Sequence, residues 1–441
     1  MGKGKTAFVL SGGGSFGSFE VGVWQAVREA GIEIDMTCGA SVGAINAAMV
    51  VLGDADRAAE LWQTLETDMI FDIDVNEQPY NNALESLVKN IDEIGDRHEK
   101  YNDKIDAVGS AIGKHGIKLG YHISDKIGMS VNEALLYMKG IINEHGVGSS
   151  GLLEILKKYI SADDFFGSSV DYGMVTCGYP GFEPYYFYKD EIPRDQLHEY
   201  IVASASCFPA ARYAVIGDKK FVDGGYADNM PVKMAQDRGA DRIIAVNLDA
   251  VGKLNKDVIE KAKEKGTDFV LAESSWDLGN WLAFEPETAA RNLRLGYLDG
   301  MKALTLLDGD KYTFKKGEFK GALLAYANRA AEIFDLDPEV IYDEEIMCDI
   351  IKPRVRDSQL MLRAKAIMPR VPARKIDPKE EIAKVKKVIS DYAAEAVAVY
   401  IAESLADYGT KSVFMNDHLI RLMKREIGAA KFIVAKGLLS E

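Results

Sequence analysis

The chain has few cysteines, few histidines and no long apolar run, and each shortage closes off a class of protein. The four cysteines, Cys38, Cys177, Cys207 and Cys348, are scattered through 441 residues without a C-x-x-C or a paired Cys/His spacing. That pattern argues against both a disulfide framework and a structural zinc site. No stretch of 18 or more apolar residues occurs, so no segment is expected to span a membrane. The start, Met1 to Thr6, is a short basic run leading directly into an apolar strand, which leaves no room for a signal-peptide core. A reducing cytoplasm is the expected location, with peripheral membrane contact left open. Positive charge is in deficit. A net charge of −15 disfavours nucleic acid and strongly anionic membranes as general partners.

What is present suits a large folded core. Hydrophobic residues make up 47% and charged residues 27%, so no staple is needed. The opening residues alternate in type. Ala7 to Leu10 reads as a buried strand, and Ser18 to Ala30 as a helix with Val21, Trp24 and Val27 on one face, ended by Gly31. Ile32 to Cys38 reads as a second strand, and Val42 to Leu52 as a helix buried all round. Such alternation predicts an α/β fold with a mainly parallel sheet.

A further helix is expected over Ala55 to Thr67, strands over Asp171 to Cys177, Tyr185 to Tyr188 and Phe221 to Val222, and helices over Leu197 to Ser204 and Pro231 to Asp237. Arg242 to Leu248 reads as a strong buried strand, and the chain beyond Val251 as mostly helical, with amphipathic stretches over Glu380 to Ala402 and Asp417 to Ala435. Residues 76–149 form a polar helical insertion carrying His98, His115, His122 and His145, which suits either a lid or a solvated decoration. A catalytic domain over 1–310 and a mostly helical region over 311–441 are the expected division. There is no internal repeat.

Three motifs carry chemistry. Gly12-Gly13-Gly14-Ser15-Phe16-Gly17 falls between a strand and a helix, where backbone N–H groups approach an anion aided by the helix dipole. In an acyl hydrolase this is an oxyanion hole. Gly12, Gly14 and Gly17 also satisfy the dinucleotide pattern G-x-G-x-x-G, with Glu33 or Asp35 placed to hold a ribose, so an oxidoreductase stays open on these residues alone. A P-loop built on Gly4-Lys5-Thr6 fails, because its first glycine would precede residue 1.

Gly39-Ala40-Ser41-Val42-Gly43 is a G-x-S-x-G between strand and helix, the setting of a nucleophile elbow. A helix-capping serine is the plainer reading, and an elbow serine also sits at a helix start. Asp223-Gly224-Gly225 places a carboxylate at a strand end, a role compatible with an ordinary Asp-Gly turn or with a base facing the serine. A triad would need a histidine after the acid, but only His418 follows Asp223; His198 and the insertion histidines precede it. A Ser41–Asp223 dyad therefore fits better than a triad.

Taken together, these motifs resemble the patatin-like phospholipases: the glycine-rich loop at Gly12 to Gly17, the elbow at Gly39 to Gly43, and the Asp-Gly-Gly at Asp223 to Gly225. Supporting segments are Ala203 to Ser206 with Pro209, Asp223 through Asn229 to Pro231, Gly239-Ala240-Asp241, and Gly296 to Asp299. The resemblance covers about residues 5–75 and 150–300. It implies a three-layer α/β/α fold, Ser41 as nucleophile, Asp223 as base, and an oxyanion hole from Gly12, Gly13 and Gly14 with Val42. It further implies a fatty acyl ester substrate (phospholipid, lysophospholipid or glyceride) and neither a cofactor nor a metal. A non-catalytic lipid-binding relative is the alternative. Phe16 stands where many relatives carry Arg or Lys, leaving backbone N–H groups as the main stabilisers of an oxyanion.

Overall fold

The computed structural model describes residues 4–70, 150–208, 211–250, 252–264, 266–365, 367 and 390–440. The insertion over 76–149, with its four histidines and the lid reading attached to it, lies outside the described residues, as does Pro209. By internal contacts the chain divides into two compact units, residues 1–304 and 305–441.

The first unit is built on one sheet. Strands β1 (Thr6–Leu10), β2 (Met36–Ala40), β3 (Asp171–Gly178), β7 (Arg242–Asn247) and β8 (Asp268–Glu273) run parallel in the order β3-β2-β1-β7-β8. β4 (Pro184–Tyr188) and β6 (Lys219–Asp223) run antiparallel to β3, and β5 (Ala214–Ile216) pairs with β6. β1 is central and wholly buried, so it reads as an unbroken apolar run rather than an alternation.

Its residues nonetheless divide between two cores. Phe8 and Leu10 join a large cluster with Trp24, Val42 and Trp62, whereas Ala7 and Val9 join a smaller one with Met234 and Ile243. Helix α1 (Gly17–Glu29), helix α2 (Val42–Leu52) and the helix Pro286–Ala303 cover the first face. The helices Val232–Asp237 and Lys256–Glu264 cover the other. The unit is therefore the three-layer α/β/α arrangement with a mainly parallel sheet.

Several boundaries differ from the sequence reading. The second strand is Met36–Ala40 rather than Ile32 to Cys38. Its pairing with β1 begins only at Ala7↔Met36. Asp35 just before it is spent on Thr6, accepting that N–H on its carboxylate at 2.8 Å. The helix from Ala55 ends at Trp62, and a separate short helix follows at Thr67–Ile70. The stretch beyond Val251 is not simply helical, because Asp268–Glu273 extends the parallel sheet as an edge strand beside β7.

The second unit carries the helices Ala322–Ile333, Glu344–Ala364, Ala394–Tyr408, Asp417–Leu422 and Lys424–Ala435. Of the helix expected over Glu380 to Ala402, residues 380–389 fall in the stretch 368–389 outside the described part, and the remainder is interrupted at Tyr392 and Ala393 before the helix Ala394–Tyr408. A three-stranded sheet of two-residue strands, β9 (Asp308–Gly309), β10 (Thr313–Phe314) and β11 (Ile341–Tyr342), was not expected. Phe319 anchors this unit, packing edge-on to Phe314 at 5.2 Å and to Phe432 at 5.8 Å between ring centroids. Among the described residues, no helix is long and apolar enough to cross a membrane.

Candidate active site

The site is set by how three strands meet. β4 takes one edge of β3 over Gly173 to Cys177, so β2 and β6 share the other edge, end to end. β2 finishes with Ala40 opposite Val175, and β6, running the other way, finishes with Asp223 opposite Thr176. Ser41 and Asp223 thus emerge from adjoining strand ends beside two successive residues of β3. A separation of 182 positions in sequence closes to neighbouring places on one sheet edge.

Ser41 occupies the turn between β2 and α2 at φ 55, ψ −128, a conformation that non-glycine residues rarely hold. The flanking glycines make the turn sterically possible. A Cβ on Gly39 would lie 2.3 Å from the Gly43 backbone, and one on Gly43 would lie 2.5 Å from the Leu10 carbonyl oxygen. The turn is also tethered from outside. The Ser41 N–H donates to Ser204 Oγ at 3.0 Å, and the Ser204 hydroxyl donates to the Val175 carbonyl at 2.6 Å. Ser204 therefore links the elbow to the β3 residue against which β2 ends.

Asp223 is buried, and its carboxylate accepts the Gly225 N–H at 2.8 Å. Burial pushes its pKa up from 3.8 to about 6, while hydrogen bonds with the Ser41 side chain and the Gly225 N–H pull the other way. A buried aspartate whose pKa is raised to about 6, set beside a serine hydroxyl, is suited to accept that proton. Gly224 passes so close to β3 that a Cβ there would sit 2.1 Å from the Val175 carbonyl oxygen.

The glycine-rich loop closes the third side. A Cβ on Gly12 would fall 2.9 Å from Ser41 Cβ. Asn229, six residues after Asp223, clamps Gly12 reciprocally: Oδ1 accepts the Gly12 N–H at 3.1 Å and Nδ2 donates to the Gly12 carbonyl at 3.1 Å. At the loop's far end the Ser15 N–H donates to the Trp281 carbonyl at 2.7 Å. Gly14 has φ +57, and a Cβ there would stand 2.0 Å from that same carbonyl oxygen. With Gly12 engaged by Asn229, the loop and elbow N–H groups without an acceptor among the described residues are those of Gly13, Gly14, Val42 and Gly43.

Beneath the loop, helices α1 and α2 are tied by a buried polar chain. Asn46 Nδ2 donates to the Gly17 carbonyl at 2.9 Å and to Glu20 Oε2 at 2.8 Å, while Trp62 Nε1 donates to Asn46 Oδ1 at 2.9 Å. Burial holds the Glu20 pKa well above the usual carboxylate range, which favours the neutral acid. Phe16 packs its ring against the large core.

His198 takes no part in this constellation; its Nε2 meets the Ile160 carbonyl at 2.8 Å. His418 belongs to the second unit. Asn46 was given no role by sequence reasoning, and Ser204 and Asn229 appeared only as members of segments. Their partners lie 26, 163 and 217 residues away, so no local spacing marks them.

A serine elbow, a buried aspartate and a clamped glycine loop at the carboxyl edge of a parallel sheet define an α/β hydrolytic class of site. The patatin-like phospholipase model matches residues 8–235, and the chain belongs to that family. The triacylglycerol lipase ptl3 of Schizosaccharomyces pombe is 34% identical over 88 residues, which cover 20% of this chain and 17% of that protein's length. Among solved structures, VipD of Legionella pneumophila is 15% identical with a TM-score of 0.37, covering 98% of this chain and 88% of that one. The ExoU–SpcU complex of Pseudomonas aeruginosa gives 16% identity and a TM-score of 0.31, covering 98% and 75%. Both scores are too low for either likeness to bear on fold or function.

Proposed function

We propose that the protein is a serine lipid acyl hydrolase that cleaves fatty acyl esters of phospholipids, lysophospholipids or glycerides through a Ser41–Asp223 dyad. The observation that carries this reading is the elbow serine, held at positive φ at a strand end adjoining that of a buried aspartate of raised pKa. Family membership supplies the acyl-ester class of substrate.

In the proposed reaction, Asp223 accepts the proton of Ser41 Oγ as that oxygen bonds to the ester carbonyl carbon. The carbonyl electron pair moves to its oxygen, which rests on the N–H groups of Gly13, Gly14 and Val42. Gly12 frames this hole but does not donate into it, since Asn229 holds its N–H. Collapse expels the alcohol, which takes the proton back from Asp223, leaving an acyl-enzyme. A water molecule then repeats the sequence with the same base and releases the fatty acid.

A fluorophosphonate probe tests the reading directly, with intact-protein mass as the readout. The native chain is expected to gain a single adduct that Ser41→Ala does not. A folded native chain that gains none would remove the activated serine on which the proposal stands.

A further inference from the structure

The strands that bring Asp223 to Ser41 continue past them into two hairpin tips. β3 runs on to Gly178 and turns through Tyr179 to Glu183 into β4. β5 and β6 turn at Gly217 and Asp218. Lys219 lies four residues before Asp223, so at about 3.3 Å per residue that turn stands about 13 Å further along the sheet edge. The two tips are joined, because the Tyr179 N–H donates to the Lys220 carbonyl at 2.9 Å. Both stand on the side of the sheet where the serine elbow opens.

Their composition departs from the rest of a chain of net charge −15. Phe182 is 41% exposed and Val215 59% exposed, among the large apolar side chains most open to solvent. Tyr179 stacks on Tyr213 at 5.6 Å, and the Lys220 ammonium lies 4.5 Å from the Tyr213 ring centroid. Phe182 packs edge-on to Tyr226 at 5.3 Å, and Tyr226 follows directly on Asp223-Gly224-Gly225. The apolar tip is thus continuous with the turn that carries the catalytic aspartate. Arg212, Lys219 and Lys220 are exposed beside it, together with Glu183 and Asp218. Aromatic rings with cationic neighbours on an exposed, mixed-charge rim match the headgroup layer of a bilayer, where such rings partition with their polar groups still wet.

We infer that the two hairpin tips around Phe182 and Val215 form a docking surface for a phospholipid bilayer, with Lys219 and Lys220 facing lipid phosphates. The inference rests on the proposed lipid acyl hydrolase reading and deepens it: docking there sets the mouth of the site against the substrate phase. Burial of two apolar side chains in the interface supplies the affinity, and the lysines orient it.

The test uses the full chain carrying Ser41→Ala, so that binding is read without hydrolysis. Co-sedimentation with phosphatidylcholine vesicles is measured for this parent and after adding Phe182→Asp and Val215→Asp. The added pair is expected to weaken vesicle association by about tenfold or more. Thermal unfolding is followed for each variant, and Val215→Asp alone, at the more exposed position, is expected to melt with the parent and still to weaken vesicle association. In the Ser41 background the same pair is expected to leave fluorophosphonate labelling and cleavage of a soluble short-chain ester within about twofold of native, while release of fatty acid from vesicles falls. A parent that ignores vesicles, or a pair that binds them as the parent does, overturns the docking surface. Absence of a fluorophosphonate adduct would instead overturn the hydrolase reading, leaving the binding result to stand by itself.

Discussion

Asp223 has to be an anion to accept a proton, yet burial favours its neutral form. With a folded pKa of about 6 against 3.8 unfolded, the folded state holds the proton more tightly between those values. Unfolding then releases protons, so stability falls as pH rises through that window and stays lower above it. A shift of about two units corresponds to about 3 kcal/mol of strain stored at neutral pH. Asp223→Asn keeps the shape and an acceptor for the Gly225 N–H while removing the charge. It is expected to raise the melting temperature at neutral pH, to lose that advantage in acid, and to abolish ester turnover. For the native enzyme, kcat/KM should rise with pH through a midpoint near 6. Asp228 is also pushed up to about 6 by burial, so the assignment needs a control. Asp228→Asn should retain the acidic limb; if that variant loses it, the limb belongs to Asp228. Ser41 and Asp223 could be singled out as candidates in sequence because each sits in a glycine-framed motif whose spacing reflects a local turn. Ser204 and Asn229 could not, because their roles exist only once β3 and the glycine loop are in place.

At the level of elements, the glycine loop is a tensioned connection rather than a free one. Asn229 pins its start at Gly12 and the Trp281 carbonyl pins its other end at Ser15. Between the pins, Gly13 and Gly14 hold their N–H groups toward the developing oxyanion in the proposed reaction. Asn229→Ala removes both side-chain bonds to Gly12, leaving only the backbone bond from the Gly12 N–H to the Asn229 carbonyl at 3.1 Å. Loss of stability of about 1–3 kcal/mol is expected, from buried polar groups left unpaired. A fall in kcat of about 10²-fold with little change in KM should accompany it, because the displaced donors act on the transition state. Steady-state kinetics on a soluble ester separates the two terms, and an unchanged kcat would show that the loop holds its shape without Asn229. The strand–turn–helix alternation that supports this loop was readable from sequence, since β1 from Ala7 on and α2 apart from Asn46 are built of apolar residues and glycine. β8 was not: Asp268 and Glu273 bound a short run, Phe269 to Ala272, whose burial depends on β7 alongside it. Strand β2 was read four residues early at its start, because Ile32 and Ile34 are apolar for another reason, packing on the large core from a loop.

The whole molecule consists of two units with separate cores, residues 1–304 around the parallel sheet and residues 305–441 around Phe319 and its neighbours. All the proposed chemistry lies in the first. Two cores of such different size need not melt together, since each loses its own buried surface and gains its own chain entropy. Calorimetry on the full chain is therefore expected to show two transitions. Phosphonylation of Ser41 by a fluorophosphonate, with loss of fluoride, fills the oxyanion hole and should act on one of them alone, the one belonging to the sheet unit. The other, belonging to the unit around Phe319, should keep its temperature. Residues after 304 then belong to a separately folding region, which cleavage by a protease near residue 304 would release as a folded fragment. A single transition that moves as a whole on labelling would mean that the two units unfold as one, and that the C-terminal helices contribute to the stability of the catalytic sheet.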